Sequence, residues 1–540
     1  MTPALSNAEP GAILAAGSEG DEDMDNRTDG PISAALALRA LARWGDRVAF
    51  DGHGGRFTYR QGHAMVARMQ AVMDRAGMKR GDSIAVLHAN RGDAWMASTA
   101  AGALGLRTTP LHPLGSLEDH RFVLEDAEID YLLVDADSYA ERGGELAAGS
   151  ERLKQVFTLG PAPFGQDLLK AAEDIGESSS IVVAQPDDLA WIAYTGGTTG
   201  KPKGVMRNHR ALGAIAQGVL ANFEWPETLV YLAVAPNSHV GGTKVLPTLI
   251  QGGRVHCAHG FDPGRVLDSI GRARVSVTLL VPTMVYLLLD DPGLDKADLS
   301  SLELLLYGAS PMSPSRLREG LDRVGPVFSQ LYGQTEGYPI SVLRRSDHQD
   351  SGLFASCGHP CSSVTVALID DDDAPVPAGE VGEICVRAPH VMGGYWKREE
   401  ETATTLANGW LHTGDMAHAD DRGYLHIVDR KKDMIISGGF NVYPREIEDI
   451  LSADPTVRMA AVIGVPDEKW GEAVKAIVVP RGDVAPNPAA LIRRVREAKG
   501  AVHAPKSIEF AEEIPLTPIG KLDKKALRAT YWQDCDRQVG

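Results

Sequence analysis

From Pro31 to Asp429 short apolar runs alternate with amphipathic stretches: DSIAVLHAN precedes RGDAWMASTAAGALG, and YLLVDADS precedes YAERGGELAAG. This rhythm predicts strands alternating with helices, and hence an α/β fold of largely parallel sheets covered on both faces. VTVALIDDDDAPVPAGEVGEICVRAP departs from it, with two strand-like runs joined by an acidic turn containing proline and glycine. That segment predicts a hairpin, and Asp370 to Asp373 in its turn read as solvated charge rather than as a metal site. The charged cluster in VDRKKDMIISGG then separates strand-like YLHIV from a new unit. The unit has its own small α+β pattern: a helix from Pro444, strands at AAVIGV and AVKAIVVP, a helix at AALIRRVREAK and a strand at KSIEFAEEI. The expected organisation is a large domain over 31–429, a hinge over 430–433 and a small domain over 434–540. Residues 1–30 are acidic, small and nearly free of large apolar groups, which predicts a disordered tail.

The segment YTGGTTGKPKG, Tyr194 to Gly204, follows the apolar run LAWIA. Glycines, threonines and lysines after a strand suggest a phosphate-binding loop, yet the G-x-x-x-x-G-K-[ST] pattern fails at both ends. Aligned on Gly200 and Lys201, Thr195 replaces the first glycine and Pro202 replaces the hydroxyl. Pro202 lacks an N–H and fixes its own φ, so the loop does not run straight into a helix N-terminus. Anion binding survives, because Gly196, Gly197 and Gly200 let backbone N–H groups curl around a phosphate while Thr195, Thr198 and Thr199 add hydroxyls. A flexible surface turn is the alternative.

Composition narrows the partners. The 540-residue chain carries a formal net charge of -18, which argues against a general nucleic-acid or anionic-membrane binder. An anionic ligand would therefore meet local basic islands at Lys201, Lys203, Arg207 and Arg210, at Arg430, Lys431 and Lys432, or at Lys521, Lys524, Lys525 and Arg528. Five scattered cysteines give no disulfide framework and fit a reducing compartment. Cys357, His359 and Cys361 crowd together, but without a second ligand pair they fall short of a structural zinc site. No run reaches the roughly 20 apolar residues of a membrane span, so a cytoplasmic location is expected.

Taken together, YTGGTTGKPKG, LYGAS (306–310), LYGQTEG (331–337), GWLHTGD (409–415), GYLHIVDRKKDMIISGGFNVYPREIE (423–448) and PLTPIGKLDKKALR (515–528) resemble the acyl-adenylate-forming superfamily. Acyl-CoA synthetases, beetle luciferases and peptide-synthetase adenylation domains belong to it, and the similarity covers about Ala35 to Ala529. The resemblance implies stacked sheets with helices plus a small β subdomain, and a small mobile C-terminal domain. It also implies two steps: a carboxylate attacks the α-phosphorus of ATP to give acyl-AMP and pyrophosphate, and a thiol then displaces AMP. ATP, magnesium and coenzyme A are the implied cofactors, with a small carboxylic acid as partner; the oligomeric state is left open to a homodimer.

Carried over position by position, Lys521 matches the catalytic lysine, Glu336 the magnesium-coordinating glutamate and Thr335 a hydroxyl contact to the α-phosphate. Asp415 and Arg430 match ribose contacts, while Gly308, Ala309, Ser310 and Tyr332 match the adenine pocket. Lys432 falls on the hinge position, and Ser437, Gly438, Gly439 and Phe440 on the loop lining the pantetheine tunnel. His239 matches a position between acyl pocket and thiol tunnel; alone it would read as structural. Peptide-synthetase domains hold the substrate ammonium with an aspartate at the place of Val240, so an amino-acid substrate is not expected. Val240, Gly241, Gly242, Val281, Pro282, Thr283, Met284 and the backbone near Gly333 suggest an apolar acyl group, with the glycines leaving room for it. Fatty and aryl or arylalkyl acids both stay open, as does loading of a carrier-protein phosphopantetheine in place of free CoA; a catalytically silent nucleotide-binding regulator is the third reading.

Overall fold

The computed structural model describes residues 32–195, 202–467, 469–482, 486–517 and 522–532. A nine-stranded sheet runs in the order His359–Pro360, Gly337–Leu343, Phe328–Gln334, Leu304–Gly308, Val277–Leu280, Val230–Ala233, Arg254–Cys257, Val48–Gly52, Phe57–Thr58. From Phe328–Gln334 across to Val48–Gly52 every neighbour is parallel, and antiparallel pairing is confined to the margins. Val230–Ala233, Val277–Leu280 and Leu304–Gly308 are buried along their whole length, because helices cover both faces. One of these helices, Pro263–Ala273, shows how the sequence sets its ends. Asp262 accepts from the Arg265 N–H, Pro263 opens the first turn, and Val266, Leu267 and Ile270 form the buried stripe.

The seven-stranded sheet has the order Gln166–Asp167, Gln155–Leu159, Tyr131–Asp135, Ser83–Leu87, Arg107–Pro110, Leu189–Thr195, Lys203–Asn208. It too is parallel except at its last pair, where Leu189–Thr195 and Lys203–Asn208 are antiparallel. The phosphate-loop candidate thus leads from strand to strand and not into a helix, in keeping with Pro202. Its residues Gly196, Gly197, Thr198, Thr199, Gly200 and Lys201 lie outside the described residues.

The expected hairpin forms from Thr365–Ile369 and Gly382–Arg387, and Leu411–Ala419 and Leu425–Arg430 complete a four-stranded antiparallel sheet. A smaller five-stranded sheet follows, built on the long pair Val457–Asp467 and Gly471–Pro480, with helices Pro444–Ser452 and Pro488–Lys499. Its core holds Val462, Val474, Ile447, Leu451, Leu491 and Val495. Asp429 ties it to the preceding sheet: its Oδ2 accepts the Arg445 N–H at 2.9 Å and lies 3.7 Å from Lys524 Nζ. Among the described residues no helix is long and apolar enough to cross a membrane.

The two large sheets are joined by a buried amide. Asn90, in the turn between Ser83–Leu87 and helix Gly92–Ala103, donates from Nδ2 to the carbonyls of Ala233, Val234 and Ala235 at 2.9, 3.2 and 3.1 Å. Its Oδ1 accepts the Asn237 N–H at 2.8 Å. One side chain therefore holds the chain where it leaves Val230–Ala233 toward His239. Asn90→Ala would strand those groups in the interior, and urea unfolding is expected to show a loss of about 2–4 kcal/mol.

Candidate active site

Because the central strands of the nine-stranded sheet are parallel, their carboxyl ends share one edge, the place where open α/β sheets bind ligands. Residues 234–244, 281–283, 309–310 and 335–336 all leave the sheet there. Gly308 ends one strand so close to the next that a Cβ would lie 2.2 Å from the Leu331 carbonyl oxygen, so only glycine fits. Ala309 follows at φ 65°, turning the chain sharply into Ser310.

Beside this turn lies a buried carboxylate. Tyr332 Oη donates to Asp415 Oδ2 at 2.8 Å, Arg430 Nε lies 3.1 Å from Oδ1, and Thr413 Oγ1 accepts the Asp415 N–H at 3.1 Å. Sheet register produces the pairing, since Asp415 and Arg430 are opposite one another on adjacent strands. The Asp415 charge raises the Arg430 pKa, and burial followed by the same charge raises that of Tyr332.

Thr335 and Glu336 occupy the turn between Phe328–Gln334 and Gly337–Leu343. Tyr395 Oη donates to Glu336 Oε1 at 2.8 Å, and Arg207 donates to the Thr335 carbonyl. Tyr395 reaches this point because its segment pairs with the edge strand at Val205 and with Met206 and Gly204 on either side. Lys203 Nζ lies 5.1 Å from the Tyr395 ring centre. Burial lowers the Arg207 pKa to about 10 against the opposing pull of Glu336. A carboxylate and a hydroxyl-bearing neighbour at a strand turn form a hard-oxygen set, which fits a magnesium ion that takes its remaining ligands from phosphate and water. Tyr395 was not evident from sequence; Arg207 was visible only as one of several basic residues.

His239 precedes the 3-10 turn Val240–Lys244. Ser238 Oγ lies 2.9 Å from its Nδ1, and the His112 ring meets it edge-on at 4.5 Å. Burial lowers the pKa of His239 to about 3 and of His112 to about 4. Gly241 and Gly242 also answer a demand of the backbone. A Cβ on Gly241 would lie 2.5 Å from the Ala235 carbonyl oxygen, and one on Gly242 1.9 Å from that of Asn237, so the tight turn demands glycine irrespective of acyl volume. Lys244, unremarked in the sequence, is wholly buried; its Nζ contacts Thr243 Oγ1 at 2.9 Å and the Tyr338 hydroxyl. Tyr338 in turn packs on Gly333, where a Cβ would lie 2.8 Å from the ring. Thr283 lies in the first turn of helix Pro282–Leu289.

In the small unit, Gly438 and Gly439 have φ of 60° and 83° and turn strand Ile435–Ser437 into Phe440–Val442. Ser437 is buried and Phe440 is exposed. Lys432 lies in the 3-10 turn Lys431–Asp433, which Arg528 grips through Asp433 at 2.6 Å. Lys521 lies outside the described residues.

Parallel sheets with an oxygen-lined carboxyl edge, followed by a smaller α+β unit, define the fold of adenylate-forming enzymes. Residues 38–396 match the family described as AMP-binding enzyme, and residues 446–521 the AMP-binding enzyme C-terminal domain. A medium/long-chain fatty acid–CoA ligase of Mycobacterium tuberculosis is 43% identical over 523 residues, spanning 94% of this chain and 91% of its own. A feruloyl-CoA synthase of an Amycolatopsis species is 39% identical, spanning 91% of this chain and 97% of its own. The solved structure of an amide bond synthetase from Marinactinospora thermotolerans superposes with a TM-score of 0.86 at 34% identity, covering 92% of this chain and all of that one. The chain belongs to the AMP-binding enzyme family.

The paired histidines give an acid-side signature. Their folded pKa values lie below the ordinary 6.5, so the unfolded chain binds protons more readily; their stability contribution is complete above about pH 6.5 and is lost as pH falls toward 4 and 3. Melting temperature followed from pH 7 to 4 is expected to decline less steeply in His112→Asn/His239→Asn than in the native chain.

Proposed function

We propose that the chain is an ATP-dependent carboxylic acid:CoA ligase that forms acyl-CoA through acyl-AMP, releasing AMP and pyrophosphate. The observation that carries this reading is the buried Asp415, fixed by Arg430 and by Tyr332, whose strand runs on into Glu336 and pairs with the strand ending at Gly308. A carboxylate so held has the chemistry to accept hydrogen bonds from a ribose diol, with Arg430 beside the ribose or phosphate and Gly308, Ala309, Ser310, Tyr332 and Gly333 walling the base. Thr195, Lys203 and the glycine- and threonine-rich residues between them cradle the phosphates. Magnesium held by Glu336 would offset charge on the phosphate oxygens, with Thr335 contacting the α-phosphate.

In the first step an acid oxygen bonds to the α-phosphorus and the bond to pyrophosphate breaks. Both reactants are anions, so positive charge must stand where negative charge gathers, the task assigned to Lys521. His239, neutral across the physiological range, orients the acid by hydrogen bonding without adding charge. In the second step thiol sulfur bonds to the acyl carbon and AMP leaves. Ser437, Gly438, Gly439 and Phe440 face the pantetheine after rotation about Lys432. Val240 offers no carboxylate for a substrate ammonium, and the named ligases act on a fatty acid and on ferulate; both features favour an apolar fatty or aryl acid. Such a reaction suits a cytoplasmic enzyme.

The test is incubation with ATP, magnesium, CoA and a panel of fatty, benzoic, cinnamic and arylalkanoic acids, with products read by mass spectrometry. An acyl-CoA is expected. Acyl-AMP without thioester would redirect the second step to a carrier protein, and no ATP turnover with any acid would overturn the reading. Lys521→Ala is expected to slow acyl-AMP formation by at least about 100-fold while leaving thioester formation from presynthesised acyl-AMP in place. Equal loss of both half-reactions would show that the lysine serves both.

A further inference from the structure

Glu383, Cys385 and His412 bring a carboxylate, a thiol and an imidazole together so that their donor atoms all lie within 4.8 Å of one another. They come from adjacent strands, Gly382–Arg387 and Leu411–Ala419, whose register places Cys385 opposite His412. His412 Nδ1 lies 3.3 Å from Cys385 Sγ and 3.4 Å from Glu383 Oε2. Zinc bonds of about 2.0–2.3 Å imply tetrahedral edges of roughly 3.3–3.7 Å between ligand atoms. Both separations from His412 are already of that size, and the third, between Glu383 and Cys385, is within 4.8 Å, so side-chain adjustment alone lets the three share an ion.

The surroundings point the same way. Glu383 and Cys385 are buried and His412 is largely so, which shields the three donors from water. His412 Nδ1 faces the other two donors, so it is the nitrogen placed to ligate. The acidic turn of the hairpin lies at the entrance: Lys431 Nζ is 2.7 Å from exposed Asp371 and 3.6 Å from Glu383 Oε2. An entering cation would replace the Lys431 ammonium at Glu383 and meet negative charge on its way in. The donor set selects the ion, because a thiolate with an imidazole and one carboxylate suits borderline-soft divalent ions, whereas magnesium and calcium prefer all-oxygen ligands.

We propose that Glu383, Cys385 and His412 form a binding site for one divalent ion of the zinc class, separate from the Glu336 position. The cysteine gives up its thiol proton to solvent as the metal–sulfur bond forms, and a water completes the fourth position. Occupancy is coupled to the nucleotide side of the sheet, since Glu383 Oε1 accepts the Gly414 N–H at 2.8 Å beside Asp415, and to the 430–433 segment through Lys431.

The experiment titrates Co²⁺ into the metal-stripped full chain under a phosphine reductant and follows absorption. One equivalent is expected to produce a thiolate-to-cobalt charge-transfer band with tetrahedral d–d intensity, displaced by Zn²⁺. The band should vanish in Cys385→Ser and its affinity should fall at least tenfold in His412→Asn and in the isosteric Glu383→Gln, while Cys357→Ser and Cys361→Ser retain it. Thermal melts identify any variant that fails to fold, and Glu383→Gln, which preserves shape, then decides. Absence of a stoichiometric band in the parent, or its survival in folded Cys385→Ser, would overturn the proposal. None of these readouts uses acid activation, so the outcome is independent of the proposed reaction.

Discussion

The candidate site of this protein depends on holding a carboxylate away from water. Asp415 is almost fully buried, a position that is costly unless the charge is paired and its lone pairs are filled. The fold supplies both from different places. Arg430 comes from the neighbouring strand of the antiparallel sheet and Tyr332 from the nine-stranded sheet, while Thr413 satisfies the aspartate's own N–H. A single acid thereby fixes the angle between two sheets that share no strand. The turn bearing Glu336 and the bend at Gly308 inherit their positions from that junction.

Asn90 does comparable work on the opposite flank. Three carbonyls and one N–H converge on one primary amide, whose two N–H donors are shared among the three carbonyls while its oxygen takes the N–H. The segment it holds leads to His239, so that loop is positioned by the seven-stranded sheet although it leaves the nine-stranded one.

Much of this was legible in the sequence. The apolar runs in DSIAVLHAN and YLLVDADS announced doubly covered strands, the acidic proline-containing turn announced the hairpin, and Pro202 announced that the candidate phosphate loop would not open onto a helix. The small unit's pattern was readable because its helices and strands are short and separated by clear polar breaks. What was missed depends on long-range pairing. Tyr395 reaches Glu336 only because its segment aligns with an edge strand far away in sequence. Lys244 looked like an ordinary polar residue, yet it lies in the interior against Tyr338 and Thr243. Gly241 and Gly242 carry a demand that sequence did not reveal: they accommodate the backbone of their own turn.

Lys524 bears on how two units linked by a short segment could rotate without damage. Its ammonium is paired with Glu448 at 2.9 Å within the small unit and lies 3.7 Å from Asp429 on the strand before the segment. Burial opposes its charge, but Asp429 and Glu448 more than compensate and raise its pKa. In any rotation about 430–433 the Glu448 partner travels with the lysine, and only the longer contact to Asp429 is surrendered. Asp429 also accepts the Arg445 N–H at 2.9 Å through Oδ2 and the Arg430 N–H at 2.7 Å through Oδ1. The joint is thus asymmetric: on one side a cation keeps its nearer partner within its own unit, and on the other an acid divides its oxygens between its own strand and the helix across the joint.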